Sequence, residues 1–575
     1  MTNELEPAAK KSTSRTVLHL FILIVLLALF CYAFVVNAWV VDDAYITFRV
    51  IDNLISGHGL TWNPGERVQA FTHPLWALLL CSVVAVTREF FFTSLAVSFV
   101  LCVVLLIVAI RHFRLTGWWK PPLFIALLLT SKTVMDYTSS GLETPLSYCL
   151  AILFFAGFLR ELKKEAKPET PQQHDGSFSL LLIAALATVN RYDNLLLYLP
   201  ALLYLTYQTP RGGRLRFCRR AFLAFSPLIA WVLFALFYYG TPLPNTAYAK
   251  MLNSGLTSAE RAERGWGYLS NAVAWDVLGF SAAGLTLLLA LIKRDVRALL
   301  AMAGVLLCVI YVVTGGAAAT HMNGRFLALP LLVGLFVFIR YFNRPIVGLA
   351  CAGVLLYSQY HNPTAPLKFG SSWYKAAPQE ISWLDANWFV HEEGAGLVYF
   401  LPRKIVPDHV WLREGYKFRA SPDYVHIGGP LDSAAIGYFG YAAGPDKYII
   451  DKVALSDPLL ARLPACQTDR WVSGHFHRIL PDGYLESVEN NDNRIVHPAL
   501  HAYYDHLRRI TRGPLFNLKR SRDIVLFNLG CFDSLLDEYV ASPEFLEKNV
   551  ELKSILKLPT NPVYPVYLPN DARQQ

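Results

Sequence analysis

Two adjacent carboxylates, Asp42 and Asp43, have the residue types and the position to do chemistry. They directly follow residues 16–41, a run without Asp, Glu, Lys or Arg that is long enough to cross a hydrocarbon core of about 30 Å. Carboxylates at a membrane boundary are costly unless they are paired, metal-bound or functional. Either one could be a general base, or the pair could help to bind a cation. The alternative is a solvated helix end.

Several later residues could hold an anion beside these acids. Arginine is suited to bidentate phosphate binding, and a lysine can hold a phosphate as a point charge. The alternatives are snorkelling of a lysine at the membrane interface and a structural role for a lone histidine. The candidates for binding a donor phosphate are Arg49, Lys250, Arg325 and His321.

Glu143 is a third candidate catalytic acid, because a second acid could orient an acceptor or assist a cation. Its alternative is a helix-start acid favoured by the helix dipole. Arg191 and Asp193 are close together in NRYDN. The first interpretation is an ion pair between them, and the second is a contact with the substrate. The candidates for substrate binding are His73, Asn245 and Arg191.

The composition determines which elements position these residues. Of 575 residues, 54% are hydrophobic and only 17% are charged, whereas soluble proteins average about 25% charged residues. This excludes a disordered protein, a soluble nucleic-acid binder and a secreted disulfide scaffold. The net charge of +9 lies mostly in short loops between apolar runs, which indicates membrane topology rather than nucleic-acid affinity.

The apolar runs predict a polytopic α-helical membrane protein of about eleven crossings. Clusters of Lys and Arg alternate between loops, which places the N-terminus in the cytoplasm. Residues 74–88 are apolar but short and are interpreted as a re-entrant or in-plane helix. The alternative is a true crossing, with a later pair of runs merged. The predicted crossings are 16–41, 92–110, 119–136, 144–160, 178–190, 194–208, 219–239, 272–292, 298–315, 324–339 and 345–359.

Charged residues become denser from His361 onward, which predicts a domain boundary. We expect a cytoplasmic tail (1–15), a transmembrane catalytic domain (16–360) with an outer loop (42–73), and an extracytoplasmic α/β domain (361–575). Short apolar runs at 396–400, 434–440, 447–451 and 523–529 predict strands. Cys466 and Cys531 fall in this outer domain, where they could form a disulfide or remain free thiols.

Several motifs resemble those of a bacterial family of multispanning glycosyltransferases. DDAYITFR, GHGLTWNPGERV and THPLW, within residues 42–76, resemble its first outer loop. TSSGLETPL (138–146), YYGTPLPNTAYAK (238–250) and HMNGRFLALPLL (321–332) resemble further loops of the family. Residues 437–464 and 474–487 resemble its C-terminal region. The relatives nearest to these motifs are terminal arabinofuranosyltransferases of the actinobacterial cell wall and similar pilin-glycosylating enzymes.

The resemblance implies the C-type glycosyltransferase fold in a multi-pass protein of the bacterial inner membrane. It implies a polyprenyl-phosphate sugar donor, with arabinofuranose as one candidate sugar, and an acceptor glycan or protein on the outer face. An acid of the first loop is the catalytic base in this family, which maps to Asp42 or Asp43. THPLW departs from the Thr-Asn or Thr-Ser pair of many relatives, and this puts the surroundings of His73 in doubt.

The leading hypothesis is therefore a membrane glycosyltransferase, with the lipid bilayer as a partner and no nucleic acid. No cofactor is required by the residues; a divalent cation stays an open alternative. No Walker motif is present, and none is needed because phosphate is a stable leaving group. The alternative from another class is a polytopic transporter or flippase of a lipid-linked sugar. A further alternative is a non-catalytic, membrane-anchored assembly or receptor protein.

Overall fold

The computed structural model describes residues 6–160, 175–316, 324–361, 365–367, 395–400, 407–429, 435–466 and 477–556. His321 lies outside these ranges. The part up to His361 is helical throughout its regular structure. Its helices are α1 Glu6–Val36, α2 Asp42–Ile55, α3 Pro74–Thr87, α4 Phe91–Arg114, α5 Lys120–Thr130, α6 Lys132–Asp136, α7 Thr144–Phe158, α8 Asp175–Asn190, α9 Leu195–Gln208, α10 Arg214–Ala224, α11 Ser226–Tyr238, α12 Asn245–Ala247, α13 Ser258–Trp275, α14 Val277–Lys293, α15 Val296–Thr314, α16 Ala328–Phe338 and α17 Pro345–His361.

Within the residues that the structure describes, three segments are suited by length and composition to cross a membrane: Val17–Val36 of α1, α4 and α15. Two bent pairs pass the same test, α10 with α11 at 50° and α13 with α14 at 106°. Shorter apolar helices, among them α3, α5 and α7, lie between them. The chain is a helical membrane protein; the eleven crossings, their orientation and the re-entrant α3 stay predictions.

The sharp bend between α13 and α14 has a local cause in Asp276. The Asp276 carboxylate accepts a hydrogen bond from the Gly279 backbone N–H at 3.1 Å, which caps α14. It also accepts from the Ser131 hydroxyl at 2.5 Å and the Thr133 N–H at 3.1 Å. These two bonds attach the junction of α13 and α14 to the start of α6. Gly324, just before α16, lies next to Thr133 of the same helix.

The described part after residue 395 is mainly helical rather than α/β. Its strands are β1 Val425–Ile427 and β2 Tyr448–Ile450, which pair in parallel with Val425 opposite Tyr448. Its helices are α18 Leu397–Phe400, α19 Val410–Ala420, α20 Gly437–Ala443, α21 Tyr484–Glu489, α22 Pro498–Arg512, α23 Leu518–Asn528, α24 Asp533–Val540 and α25 Pro543–Leu556.

Of the four predicted strands, only the run at 447–451 contains one. The run at 396–400 forms α18, the run at 434–440 leads into α20, and the run at 523–529 lies largely in α23. Periodicity cannot separate a short buried helix from a strand when the apolar run is only five to seven residues long. These three strand predictions were wrong.

Packing joins the first loop to the C-terminal region. Helix α20 lies against α2 so closely that a Cβ atom on Gly437 would stand 1.8 Å from the Asp42 carbonyl oxygen. A Cβ atom on Gly440 would stand 2.8 Å from the Trp62 ring. The apolar core of the membrane helices extends without a break to Tyr438 of α20.

Cys466 and Cys531 are both free thiols, the first buried and the second exposed. The structure thus favours the free-thiol alternative over a disulfide.

Candidate active site

The first turn of α2 contacts the segment before α16 through an ion pair. Arg325 Nη1 donates a hydrogen bond to Asp43 Oδ2 at 2.6 Å. The Asp43 side chain remains 33% exposed, whereas that of Arg325 is 10% exposed. Gly324 precedes Arg325 with φ 75°, and a Cβ atom there would stand 2.9 Å from the Thr133 side chain. Glycine is required at this turn for both reasons, and the turn aims Arg325 at Asp43.

A second arginine lies beside the first. Arg191 donates to Glu143 Oε1 at 2.8 Å and makes two 2.8 Å bonds to the Asp193 carboxylate. The guanidinium of Arg191 lies 5.3 Å from the centre of the Phe326 ring, and that of Arg325 lies 5.4 Å from the same ring. The shared ring keeps two like charges near each other, in a geometry favourable for a cation over an aromatic face.

Glu143 connects this arginine to the first loop. It occupies the N-cap position of α7 and is buried. Its Oε2 lies 3.0 Å from His73 Nδ1, and His73 Nε2 lies 2.8 Å from the Thr47 hydroxyl on α2. Burial raises the pKa of Glu143, but the charges of His73, Arg191 and Arg325 outweigh it and hold that pKa well below the usual value. Glu143 is therefore a permanent anion.

Lys250 lies in a π-helical turn, Tyr248–Leu252. Unlike Arg191 and Arg325, it is not paired with a described carboxylate. Its ammonium has no hydrogen bond or ion pair with any residue that the structure describes. Burial lowers the pKa of Lys250; the charge of Asp43 opposes this effect, while Arg325 and Arg191 add to it. These mutual effects place the ammonium within electrostatic range of the Asp43–Arg325 pair. Arg191 and Arg325 are already paired with carboxylates, so Lys250 is the cation of this cluster without a paired carboxylate among the described residues.

Asp42 has surroundings unlike those of Asp43. Its carboxylate accepts hydrogen bonds from the backbone N–H groups of Gly437 at 3.1 Å and Tyr438 at 2.7 Å. Burial raises the pKa of Asp42 to about 6, although these two bonds act in the opposite direction. Asp42 thus binds the start of α20, and Asp43 faces Arg325.

Two predicted site residues lie apart from this cluster. Arg49 is buried and donates to the carbonyl groups of Trp62 at 2.8 Å, Lys447 at 2.6 Å and Gly440. Because all its nitrogen atoms are used, its placement does not support the predicted binding of a donor phosphate. Asn245 donates to the backbone carbonyls of Ala454 and Asp457 at 3.0 and 2.9 Å, so it fixes a loop.

Thr47 and Phe326 belong to the cluster but were not among the predicted site residues. Thr47 follows Asp43 by four residues on α2 and so lies on the same helix face. Phe326 directly follows Arg325 in the GRF segment. Helical spacing from Asp43 could have indicated Thr47 as a site residue. Phe326 could be recognised only once the position of Arg191 was known.

In the ranges that the structure describes, no group of three His, Cys, Asp or Glu side chains is arranged to hold a metal ion.

The fold and the site define a helical membrane protein with a buried cluster of carboxylates and guanidinium groups. Comparison with known proteins gives its relatives. The chain is 29% identical over 254 residues to the terminal β-(1→2)-arabinofuranosyltransferase of Corynebacterium glutamicum, covering 40% of this chain and 35% of that protein. It is 27% identical over 247 residues to the protein of the same name from Mycobacterium tuberculosis, covering 40% of this chain and 37% of that protein.

The predicted resemblance to terminal arabinofuranosyltransferases of actinobacteria is confirmed by these two relatives. The chain matches little more than a third of the length of each of them. No protein-family model matches the chain, and no solved structure matches it.

Proposed function

We propose that this chain is a membrane glycosyltransferase that moves a sugar, first of all arabinofuranose, from a polyprenyl-phosphate donor to an acceptor glycan or protein on the outer face. The observation that carries the proposal is the Asp43–Arg325 ion pair beside Arg191 and Lys250. The similarity to two proteins named as arabinofuranosyltransferases supports the sugar.

Asp43 is the better candidate for the catalytic base. Asp42 already accepts two backbone hydrogen bonds from α20. An acceptor hydroxyl bound to Asp42 would have to displace them and so detach α20. Asp43 keeps a third of its side-chain surface exposed and contacts a cation that can accept another anion. We therefore assign Asp42 to positioning and Asp43 to proton transfer.

The cations are suited to receive the leaving group. In the proposed step the acceptor oxygen bonds to the anomeric carbon and gives its proton to Asp43. The bond between that carbon and the phosphate oxygen breaks, and its electron pair leaves with the polyprenyl phosphate. Arg325 and Lys250 would stabilise this negative charge by positioned electrostatics. A phosphate that binds Arg325 would also compete with Asp43 for the guanidinium and so free the base.

Glu143, His73 and Thr47 serve this step indirectly. Glu143 holds Arg191 at 2.8 Å and approaches His73 at 3.0 Å. A carboxylate with a pKa below the usual range is a poor proton donor, so we assign Glu143 a positioning role instead of its predicted catalytic one. It neutralises Arg191 and leaves Arg325 and Lys250 for the donor.

The domain division belongs to the same proposal. Residues 16–360 would form the membrane catalytic part of a multi-pass inner-membrane protein, and residues 361–575 would lie outside the cell membrane. A lipid-linked donor suits a site built between membrane helices. The transporter alternative is not favoured, because both relatives bear the name of a transferase.

The test uses the purified full chain in lipid nanodiscs with a polyprenyl-phosphate arabinofuranose and a short arabinan acceptor. We expect sugar transfer by the parent and a loss of about 10²–10⁴-fold in Asp43→Asn, the usual contribution of acid–base catalysis. Asp537→Asn, an exposed acid of α24, is the matched control and should transfer at the parental rate. Full transfer by Asp43→Asn would refute the assigned base, and no transfer by the parent from any polyprenyl-phosphate sugar would refute the function.

A further inference from the structure

One helix of the C-terminal region presents an apolar face that the rest of the described chain leaves uncovered. Leu518 and Leu529 are 91% and 72% exposed, and Val525 between them is 57% exposed. Phe516, just before α23, is 91% exposed. Single exposed apolar residues are ordinary, but a row of four large ones marks an interaction surface.

Helical geometry places these residues in one stripe. With 100° per residue, Leu518, Arg522, Val525 and Leu529 fall within about 60° of each other around the axis. Arg520 and Asp523 are buried and lie on the opposite side of α23. The stripe, called the α23 face below and taken to include Phe516, is thus the side of the helix that points away from the protein.

The α23 face continues a surface that is already apolar. The Phe516 ring packs on the Phe237 ring of α11 with their centres 5.4 Å apart. Along α11, Leu233 and Phe237 follow each other at four-residue spacing and are 60% and 42% exposed. In a membrane helix, an exposed apolar stripe of this kind faces lipid.

Helix α11 also shows where in the membrane this contact occurs. Helix α10 and the turn before it carry five arginines, at 211, 214, 216, 219 and 220, so that end lies at one membrane surface. Tyr238, at the far end of the bent pair, therefore approaches the opposite surface. Arg520 donates to the Tyr238 carbonyl at 2.9 Å, and Asn528 donates to the Gly240 carbonyl at 2.7 Å. Two bonds eight residues apart hold α23 across this end.

The charges beside the stripe match a lipid surface. Lys519 and Arg522 are exposed, and among the described residues their side chains make no hydrogen bond or ion pair. Long basic side chains of this kind reach from an apolar stripe to lipid phosphates. An amphipathic helix lying in the interface combines these two features.

We propose that the α23 face rests in the lipid leaflet at the Tyr238 end of α11, with Phe516, Leu518, Val525 and Leu529 in the acyl boundary and Lys519 and Arg522 at the phosphates. The C-terminal region is then bound to the membrane directly, in addition to its contacts with α2. Its orientation over the first loop is fixed by lipid as well as by protein.

The test places a photo-crosslinking residue in the full chain, reconstituted in nanodiscs of phosphatidylglycerol and phosphatidylethanolamine. The variants are Phe516→p-benzoylphenylalanine and Val525→p-benzoylphenylalanine, with Leu529 as a replacement if either fails to fold. The control is the same substitution at Val496, which is 68% exposed. Val496 lies just before α22, whose Ile510 contacts Gly240 near the other end of the helix. The rise of α22 therefore puts Val496 about 20 Å from that contact.

After illumination, mass spectrometry identifies what each position has bonded to. We expect lipid adducts as the main product at Phe516 and Val525, and little or no lipid adduct at Val496. Crosslinks to a second protein chain instead of lipid would overturn the proposal and make the α23 face a protein-docking surface. Products confined to the chain itself, or equal lipid labelling at Val496, would overturn it as well.

Discussion

A second buried group of charges lies between the first loop and the C-terminal region and can be compared with the candidate active site. It is centred on Glu66 of the first loop and Arg512 of α22. Glu66 Oε1 accepts from Arg512 Nη2 at 3.0 Å and from its Nε at 3.1 Å. Glu66 Oε2 accepts from the Tyr448 hydroxyl at 2.7 Å. Nearby Asp457 accepts from the Tyr484 hydroxyl at 2.8 Å and from two backbone N–H groups.

The candidate active site is built from the same residue types but is not closed in this way. Arg191 is paired with two carboxylates and Arg325 with one. Lys250 has no hydrogen-bond or ion-pair partner among the described residues, and both arginines help to lower its pKa. Asp43 is partly exposed, whereas Glu66 is 1% exposed.

A structural cluster and a functional cluster differ in whether every buried charge has a partner. In the Glu66 cluster each carboxylate oxygen accepts from a side chain or backbone group, and removing one member leaves a buried charge alone. In the active-site cluster, Lys250 lies at a partly exposed position and has no paired carboxylate among the residues that the structure describes. We therefore expect substitutions in the first cluster to change stability and those in the second to change donor binding.

The largest effect is expected for Glu66→Ala. Loss of the carboxylate leaves Arg512 buried without its anion, which costs about 3–5 kcal/mol of the free energy of unfolding. The measurement is thermal unfolding of the full chain in detergent. The double variant Glu66→Leu with Arg512→Met should recover most of the loss, because the isolated charge is then gone. Equal destabilisation in the double variant would contradict the explanation.

Arg325→Ala should change donor binding and not stability. Loss of its charge-assisted hydrogen bonds to the donor phosphate costs about 1.5–3 kcal/mol, which raises the donor KM by about 10- to 150-fold. The unfolding temperature should change little. Arg494→Ala, at an exposed position, is the matched control and should leave KM as it is. An unchanged donor KM in Arg325→Ala would remove this residue from the phosphate site.

Asp457 should make stability depend on pH. Burial, reinforced by the charge of Glu66, raises its pKa to about 8 in the folded chain, against about 3.9 when unfolded. Between these values the folded state binds the extra proton, so stability falls as pH rises, by up to about 1.4 kcal/mol per pH unit, and levels off above pH 8.

The measurement for Asp457 is the unfolding temperature from pH 5 to pH 9 in the parent and in Asp457→Asn. The amide oxygen can accept from the two backbone N–H groups, and its NH2 can donate to the Tyr484 hydroxyl oxygen. The amide cannot ionise, so the variant should lose part of the slope. Asp537→Asn should keep all of it. A parental slope in Asp457→Asn would show that Asp457 is not the titrating group.

The smallest effect is expected for Lys250→Gln. The ammonium acts as a single point charge, so its loss should raise the donor KM by about fivefold, near 1 kcal/mol. Because Lys250 has no hydrogen-bond or ion-pair partner among the described residues, the variant should be as stable as the parent. Lys417→Gln, at an exposed lysine, is the control. A drop in stability comparable to that of Glu66→Ala would place Lys250 in a closed cluster after all.

Much of the fold could be predicted from the sequence, but little of the C-terminal region could. Each predicted apolar run up to residue 360 contains a helix, because an apolar run in lipid satisfies its backbone hydrogen bonds internally as a helix. The run at 523–529 is short and includes Asp523 and Asn528, so its pattern did not separate a strand from a helix. It lies largely in α23, where Arg520 and Asp523 are buried on one face.

Local sequence was enough to predict the helical membrane class, the two adjacent acids after the first long apolar run, and the resemblance to arabinofuranosyltransferases. Those properties depend on local composition and on neighbouring residues. Only the tertiary structure separated Asp42 from Asp43, because the difference depends on α20 packing against one of them, 395 residues further along the chain. It likewise buried Arg49 among carbonyl groups and brought Arg325 to Asp43 across 282 residues. Contacts between distant segments are set by the packing of whole helices, which no local pattern encodes.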